Sequence, residues 1–92
     1  DTAAASGFPP TAYRFLPNVV LFQINHTTMT ATTAQRIMVG NLPILGMNIA
    51  GMTNKSKGDY AYVLIDVDSP VTDEVIQKLE NIEGVLKVRK VK

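Results

Sequence analysis

Apolar and polar residues alternate most clearly in the second half of the chain, over Tyr60–Val67. One face of the strand predicted there carries Ala61, Val63, Ile65 and Val67. The opposite face carries Tyr60, Tyr62, Leu64 and Asp66. Residues 48–52 are predicted to end a preceding strand. Residues 54–59, with lysines, a serine and a glycine, are predicted to form the tip of the hairpin between the two strands.

A second helix is predicted directly after this hairpin. Thr72 is the expected N-cap, and Asp73 and Glu74 follow in the first turn, where the helix dipole favours negative charge. The apolar stripe of this helix consists of Val75, Ile76, Leu79 and Ile82. Gly84 is expected to be its left-handed C-cap. Residues 85–91 then form a closing strand, and its two faces are predicted to carry Leu86 and Val88 on one side and Lys87, Arg89 and Val91 on the other.

The first half of the chain is predicted to hold one strand and one helix. Residues 19–24 are largely apolar on both faces, and their pairing should begin after Pro17, because proline cannot donate to a ladder. Residues 13–15 are also predicted to be extended. The helix should begin at Thr32 or Thr33 as N-cap. Its stripe is Ala34, Ile37, Met38, Leu42 and Leu45, and Pro43 should end it between residues 41 and 45.

The element order strand, helix, strand, strand, helix, strand predicts an α+β, ferredoxin-like βαββαβ domain. Four antiparallel strands form one sheet with both helices on one face, and right-handed crossovers place the first and third strands in the centre. The other face bears Tyr60, Tyr62 and Leu64, a cluster that indicates a partner surface. Residues 12–92 are assigned to this domain. Residues 1–11 are small, polar or proline, and are expected to be a linker or tail.

Composition narrows the functional classes. The chain has 92 residues, 46% of them hydrophobic, which fits one small packed domain. A net charge of +1 gives no electrostatic reason to expect binding to nucleic acid or to a membrane surface. The absence of cysteine excludes disulfides, thiol catalysis and cysteine-based zinc sites, and it fits a cytoplasmic location. Apolar runs are all shorter than the roughly 18–20 residues that span a bilayer.

Several residues have a possible chemical role and a plainer explanation. His26, the only histidine, is either a base or effector contact in a loop or a solvated side chain. Asp66 and Asp68 lie two residues apart and either bind a cation or, for Asp68, cap the next turn. Lys55 and Lys57 either contact a phosphate or are solvated. The residues form no recognisable catalytic arrangement.

Asn48 has two interpretations of equal weight. Its amide offers two donors and two acceptor lone pairs at the mouth of a strand, where it could hold the polar groups of an amino acid. Alternatively, it closes a turn through its own backbone.

Three segments of the second half form a recognisable set: Gly-Met-Asn-Ile-Ala at residues 46–50, Gly-Asp-Tyr-Ala-Tyr at 58–62 and Ile-Asp-Val-Asp-Ser-Pro at 65–70. Together they resemble the ACT regulatory domain of D-3-phosphoglycerate dehydrogenase. Residues 82–89 are similar to the family's ending, I-x-G-V-x-x-V-R. Gly-Phe-Pro-Pro at residues 7–10 resembles the segment that links the nucleotide-binding and regulatory domains of that family.

The resemblance implies the same fold and a role in serine biosynthesis. It implies that this fragment is not itself an enzyme and needs no cofactor. The parent would be a cytoplasmic oxidoreductase whose NAD is bound in another domain, with residues 1–11 as the link. Two copies would form a homodimer through their sheet edges, with an amino-acid effector, L-serine, between them, and without nucleic acid or membrane as a partner.

The family's effector motif, His-x-Asn-x-Pro-Gly followed by Asn-Ile at the second strand, assigns the expected effector-binding residues. Asn48 matches directly, and the spacing places Thr28 and Thr30 at the histidine and asparagine positions. Asn25 and His26 lie a few residues earlier, and threonines replace Pro-Gly. The alternative is a purely structural dimerisation module whose effector site has decayed. An enzyme of the acylphosphatase type is disfavoured because residues 25–33 contain no arginine for a phosphate-binding loop.

Overall fold

The computed structural model describes residues 8–25, 27 and 29–91. Its strands and helices are β1 (Val19–Asn25), α1 (Ala31–Asn41), β2 (Ile49–Lys57), β3 (Tyr60–Val67), α2 (Asp73–Glu80) and β4 (Val85–Lys90). Short 3₁₀ turns occur at Pro10–Ala12 and Pro43–Leu45. The four strands form one antiparallel sheet in the order β2-β3-β1-β4. The βαββαβ fold and the central positions of the first and third strands are therefore confirmed.

Both helices pack on one face of the sheet, as predicted. The principal core joins alternate residues of β1 and β3, including Phe22 and Ile65, to Met38 of α1 and Leu79 of α2. All four of these side chains are fully buried. Thr72 caps α2 by accepting a hydrogen bond from the Val75 amide, so that prediction is confirmed.

The opposite face of the sheet has a second core that the sequence did not predict. Residues 8–16, here called the N-terminal segment, lie across it and bury Phe8 and Tyr13 against Leu21 and Leu64. The face is therefore partly covered by the chain itself, although Tyr60 stays 41% exposed at its edge. Residues 13–15 form a turn and not an extended strand, which corrects that prediction. Of the expected linker, residues 1–7 lie outside the described part of the chain.

The predicted hairpin tip at residues 54–59 is wrong. β2 continues to Lys57 and pairs with Tyr60, so only Gly58 and Asp59 form the turn. Gly58 has φ of 63°, which a tight hairpin turn requires and which glycine adopts without steric cost. The polar residues mislead because β2 is an edge strand, where lysine and serine side chains remain solvated while their backbone pairs.

The start of the first helix differs from the prediction. Thr30, not Thr32 or Thr33, is the N-cap of α1, and its Oγ1 accepts from the Thr33 amide at 3.1 Å. The α-helix ends at Asn41 and passes into the 3₁₀ turn that contains Pro43, within the predicted interval. A threonine hydroxyl can cap a helix at any of these three positions, so residue type alone did not identify the N-cap.

The closing strand β4 contains a bulge at Leu86, so Leu86 and Val88 do not lie on the same face. Gln23 pairs with Lys87 while Ile24 pairs with Val85, so Leu86 has no partner on β1. Leu86 is consequently 54% exposed, and the prediction that it shares a face with the buried Val88 is wrong. The final turn of α2 is also different, because Asn81 is the C-cap and Gly84, with φ of 93°, lies in the following turn.

Candidate functional site

Asn48 lies immediately before β2 and is held by the carboxylate of Asp68, which follows β3. The Asn48 backbone amide donates to Asp68 Oδ1 at 3.0 Å, and its Nδ2 donates to Oδ2 at 2.9 Å. The Asp68 amide donates in return to the Asn48 carbonyl at 3.1 Å. One interpretation expected Asn48 to close a turn through its own backbone, and that interpretation is wrong. Asn48 is fixed by a residue twenty positions away.

The same hydrogen bonds lower the pKa of Asp68. The largest cause is the Asn48 side-chain amide, followed by the Asn48 backbone amide and the Ser69 hydroxyl. Ser69 Oγ also donates to Oδ1 at 3.0 Å. This bond comes from the adjacent side chain and not from a backbone amide of the following turn, so it does not confirm that Asp68 caps that turn. Within the described residues, no group of three or more histidine or acidic side chains is arranged to hold a metal.

The loop between β1 and α1 contains the other predicted effector residues. Asn25 Oδ1 accepts from the amide and the hydroxyl of Thr27, at 3.0 and 2.7 Å. Thr30 accepts from the Thr33 amide and donates to the Thr33 hydroxyl at 3.0 Å. His26 and Thr28 lie outside the described residues. The two described members of this set, Asn25 and Thr30, thus already form hydrogen bonds within the loop and the helix cap.

Within one chain, Asn48 and this loop lie at opposite ends of the sheet. Asn25 pairs with Tyr60 at the beginning of β3, whereas Ile49, next to Asn48, pairs with Val67 at its end. From Tyr60 to Val67 the strand rises by seven steps of about 3.3 Å, which separates the two ends by roughly 23 Å. One molecule of effector cannot contact both ends of a single chain, so a shared site requires a second copy.

A cavity of about 700 Å³ opens where the β1–α1 loop meets the turn between α2 and β4. Its lining consists of Thr27, Met29, Thr30, Thr33, Ile37, Ile82, Glu83 and Gly84. Sequence reasoning identified Thr30 but missed the wall formed by residues 82–84. Ile82 was assigned to the helix stripe and, with Glu83 and Gly84, to the family-like ending, but none of the three was assigned to a site.

Gly84 and Met29 are in close contact in this cavity. A Cβ atom added at Gly84 would overlap Cε of Met29, so the methionine side chain occupies space that glycine leaves open. Methionine is flexible and polarisable, which allows it to adjust to its neighbours. The wall formed by Met29 is therefore one that can move if another molecule enters.

Comparison with known proteins assigns no family to the chain and no function to this site. Neither the protein-family models nor the curated proteins compared with the chain match it. Among the described residues, no helix is long and apolar enough to cross a membrane.

Proposed function

We propose that this chain is a regulatory domain that binds an amino acid, L-serine, and dimerises as part of a NAD-dependent D-3-phosphoglycerate dehydrogenase. The observation that carries the proposal is the position of Asn48-Ile49 at the start of a free edge strand, with Asn48 oriented by Asp68. The fragment itself carries no chemistry in this proposal. NAD would bind in a catalytic domain outside it, and the enzyme would act in the cytoplasm.

The edge strand β2 favours pairing with a second copy. Its first half, residues 49–53, carries no charge, whereas β4 at the other edge has Lys87, Arg89 and Lys90 among six residues. Antiparallel pairing of two β2 strands by a two-fold axis would bring the Asn48 end of one copy beside the opposite end of the other. In that arrangement two copies could together form the shared site, which a single chain cannot form.

Regulation would follow from linkage. An effector bound between two copies stabilises the paired arrangement, and the attached catalytic domains respond to that arrangement. Asn48 suits such a role because Asp68 accepts from Nδ2 and leaves Oδ1 of the amide outside these hydrogen bonds. That oxygen can accept from the ammonium group of an amino acid.

Thermal unfolding with L-serine tests the proposal. At ten times Kd, binding contributes about 1.4 kcal/mol, which corresponds to a rise in Tm of about 5–10 °C for a domain of this size. Asn48→Ala should abolish the rise. Asn54→Ala, an exposed asparagine on the same strand, is the matched control and should preserve it. An unchanged Tm of the unmodified protein at millimolar L-serine would contradict effector binding.

A specific observation favours the alternative of a structural dimerisation module. Asn25 and Thr30 already bond within their own loop and helix cap, so neither is free in the way an effector site requires. This alternative predicts a dimer in sedimentation equilibrium and no response to L-serine. A monomer at micromolar concentration would count against both.

A further inference from the structure

The cavity beside Glu83 has a chemistry unlike that expected for a serine site. Met29, Ile37 and Ile82 all pack against the principal core while still contributing to the cavity lining. A hydroxylated side chain gains nothing from such a surface, whereas an aliphatic one buries apolar area there. The volume of about 700 Å³ falls in the range of small-molecule sites, roughly 300–1,000 Å³.

The hydroxyl groups of the cavity are not equivalent. Each hydroxyl has one hydrogen to donate. Thr27 donates its hydrogen to Asn25, and Thr30 donates its hydrogen to Thr33. Thr33 accepts that bond, which leaves its own hydrogen available for an oxygen of a ligand.

The described residues that line the cavity carry charge of one sign. Glu83 is the charged group among its lining residues, and no lysine, arginine or histidine is among those the structure describes there. A cationic group of a ligand is therefore favoured beside Glu83. Glu83 is exposed, so its interaction with a cation is worth a modest factor and not a large one.

We infer that the cavity binds an aliphatic α-amino acid, with its ammonium group facing Glu83 and its side chain on Met29, Ile37 and Ile82. The Thr33 hydroxyl donates to the ligand's carboxylate, which otherwise faces the open mouth. This inference rests on the proposed function, in which the chain binds an amino acid, but it specifies an apolar ligand at a site that does not include Asn48. Because the Met29 side chain over Gly84 is flexible, the cavity accommodates ligand side chains of different shapes.

Four ligands separate the parts of this inference. L-leucine and L-leucinamide keep both the ammonium group and the tail, so both should bind. N-acetyl-L-leucine lacks the charge and L-serine lacks the apolar tail. Each should bind this cavity less well, and L-serine by about tenfold, as expected when roughly two methylene equivalents are no longer buried. Methyl NMR spectra report the location, since leucine should shift the Met29, Ile37 and Ile82 signals.

Two variants test the role of the carboxylate. Glu83→Gln should weaken L-leucine binding about threefold, while Glu80→Gln, an exposed glutamate on α2 outside the cavity lining, should leave it unchanged. Both variants should have the Tm of the unmodified protein. The inference is overturned if N-acetyl-L-leucine binds as tightly as L-leucine, if Glu83→Gln has no effect, or if the methyl shifts lie elsewhere.

The same titrations distinguish this inference from the proposed function. L-serine that stabilises the protein through Asn48, with no methyl shift from L-leucine, overturns the cavity assignment alone. Methyl shifts from L-leucine without any response to L-serine overturn the serine assignment and support the cavity.

Discussion

Asn48 and Asp68 form three hydrogen bonds to each other across the ends of β2 and β3. The backbone amide and the side-chain amide of Asn48 reach different oxygens of the Asp68 carboxylate, at 3.0 and 2.9 Å. The Asp68 amide completes the set at 3.1 Å. The asparagine to which the family resemblance assigns an effector contact is thus bonded to Asp68 in the folded chain, and a change of pH tests that connection.

Protonation of Asp68 should weaken this connection. Because the Asn48 amides and the Ser69 hydroxyl lower the pKa of Asp68 in the folded state, its ionised form stabilises the fold at pH values above the unfolded carboxyl pKa, about 3.9. The contribution is lost as the pH falls through the lower, folded-state value. We expect the difference in urea midpoint between the unmodified protein and Asp68→Asn to shrink between pH 5 and pH 2.

Glu80→Gln is the control for the loss of one exposed carboxylate without these contacts. A difference between the unmodified protein and Asp68→Asn that stays constant over the whole range would show that ionisation of Asp68 does not stabilise the fold.

The N-cap of α1 gives a second prediction. Thr30→Ala removes the oxygen that accepts from the Thr33 amide and should lower the free energy of unfolding by about 1 kcal/mol. Thr32→Ala changes an exposed threonine two residues later and should alter it by less than about 0.5 kcal/mol. Urea denaturation of the two variants measures both. A larger cost at Thr32 would place the cap where the sequence pattern had put it.

The sequence predicted the elements whose side-chain periodicity is set by burial. Tyr60–Val67 was identified to the residue because it lies inside the sheet and alternates between two cores. The predicted end of β2 was too early. An edge strand buries few side chains, so burial does not impose an alternating pattern on its polar residues. The bulge at Leu86 could not be predicted, since one unpaired residue shifts the faces without any change in composition.

The candidate site was predicted less well than the fold for a related reason. Asn48 was identified from its amide chemistry and then from the family motif, but its partner Asp68 is twenty residues away and becomes a neighbour only through the hairpin. The wall at Glu83 likewise meets the β1–α1 loop only in the folded chain. Local patterns carry no information about such pairs, because the sheet register determines them.

The second core predicts that the N-terminal segment contributes to stability. Phe8 is 6% exposed against Leu21 and Leu64, so Phe8→Ala should lower the free energy of unfolding by about 3 kcal/mol. Phe15→Ala is the matched control in the same segment. Phe15 is 81% exposed and lies 4.9 Å from the Arg14 guanidinium, so its loss should cost less than about 1 kcal/mol. Equal effects in urea denaturation would contradict the packing of this segment on the sheet.

The bulge in β4 gives the apolar residues Leu86 and Val88 very different degrees of burial. Val88 is 3% exposed opposite Phe22, and Val88→Ala should lower the free energy of unfolding by about 2 kcal/mol through lost burial and the cavity it leaves. Leu86 is 54% exposed and unpaired with β1, so Leu86→Ala should cost less than about 0.5 kcal/mol although it removes more atoms. Regular alternation without a bulge predicts similar costs for both, since the two residues would then share a face. Urea midpoints with equal m-values therefore decide the register of β4, and similar losses at the two positions would exclude the bulge.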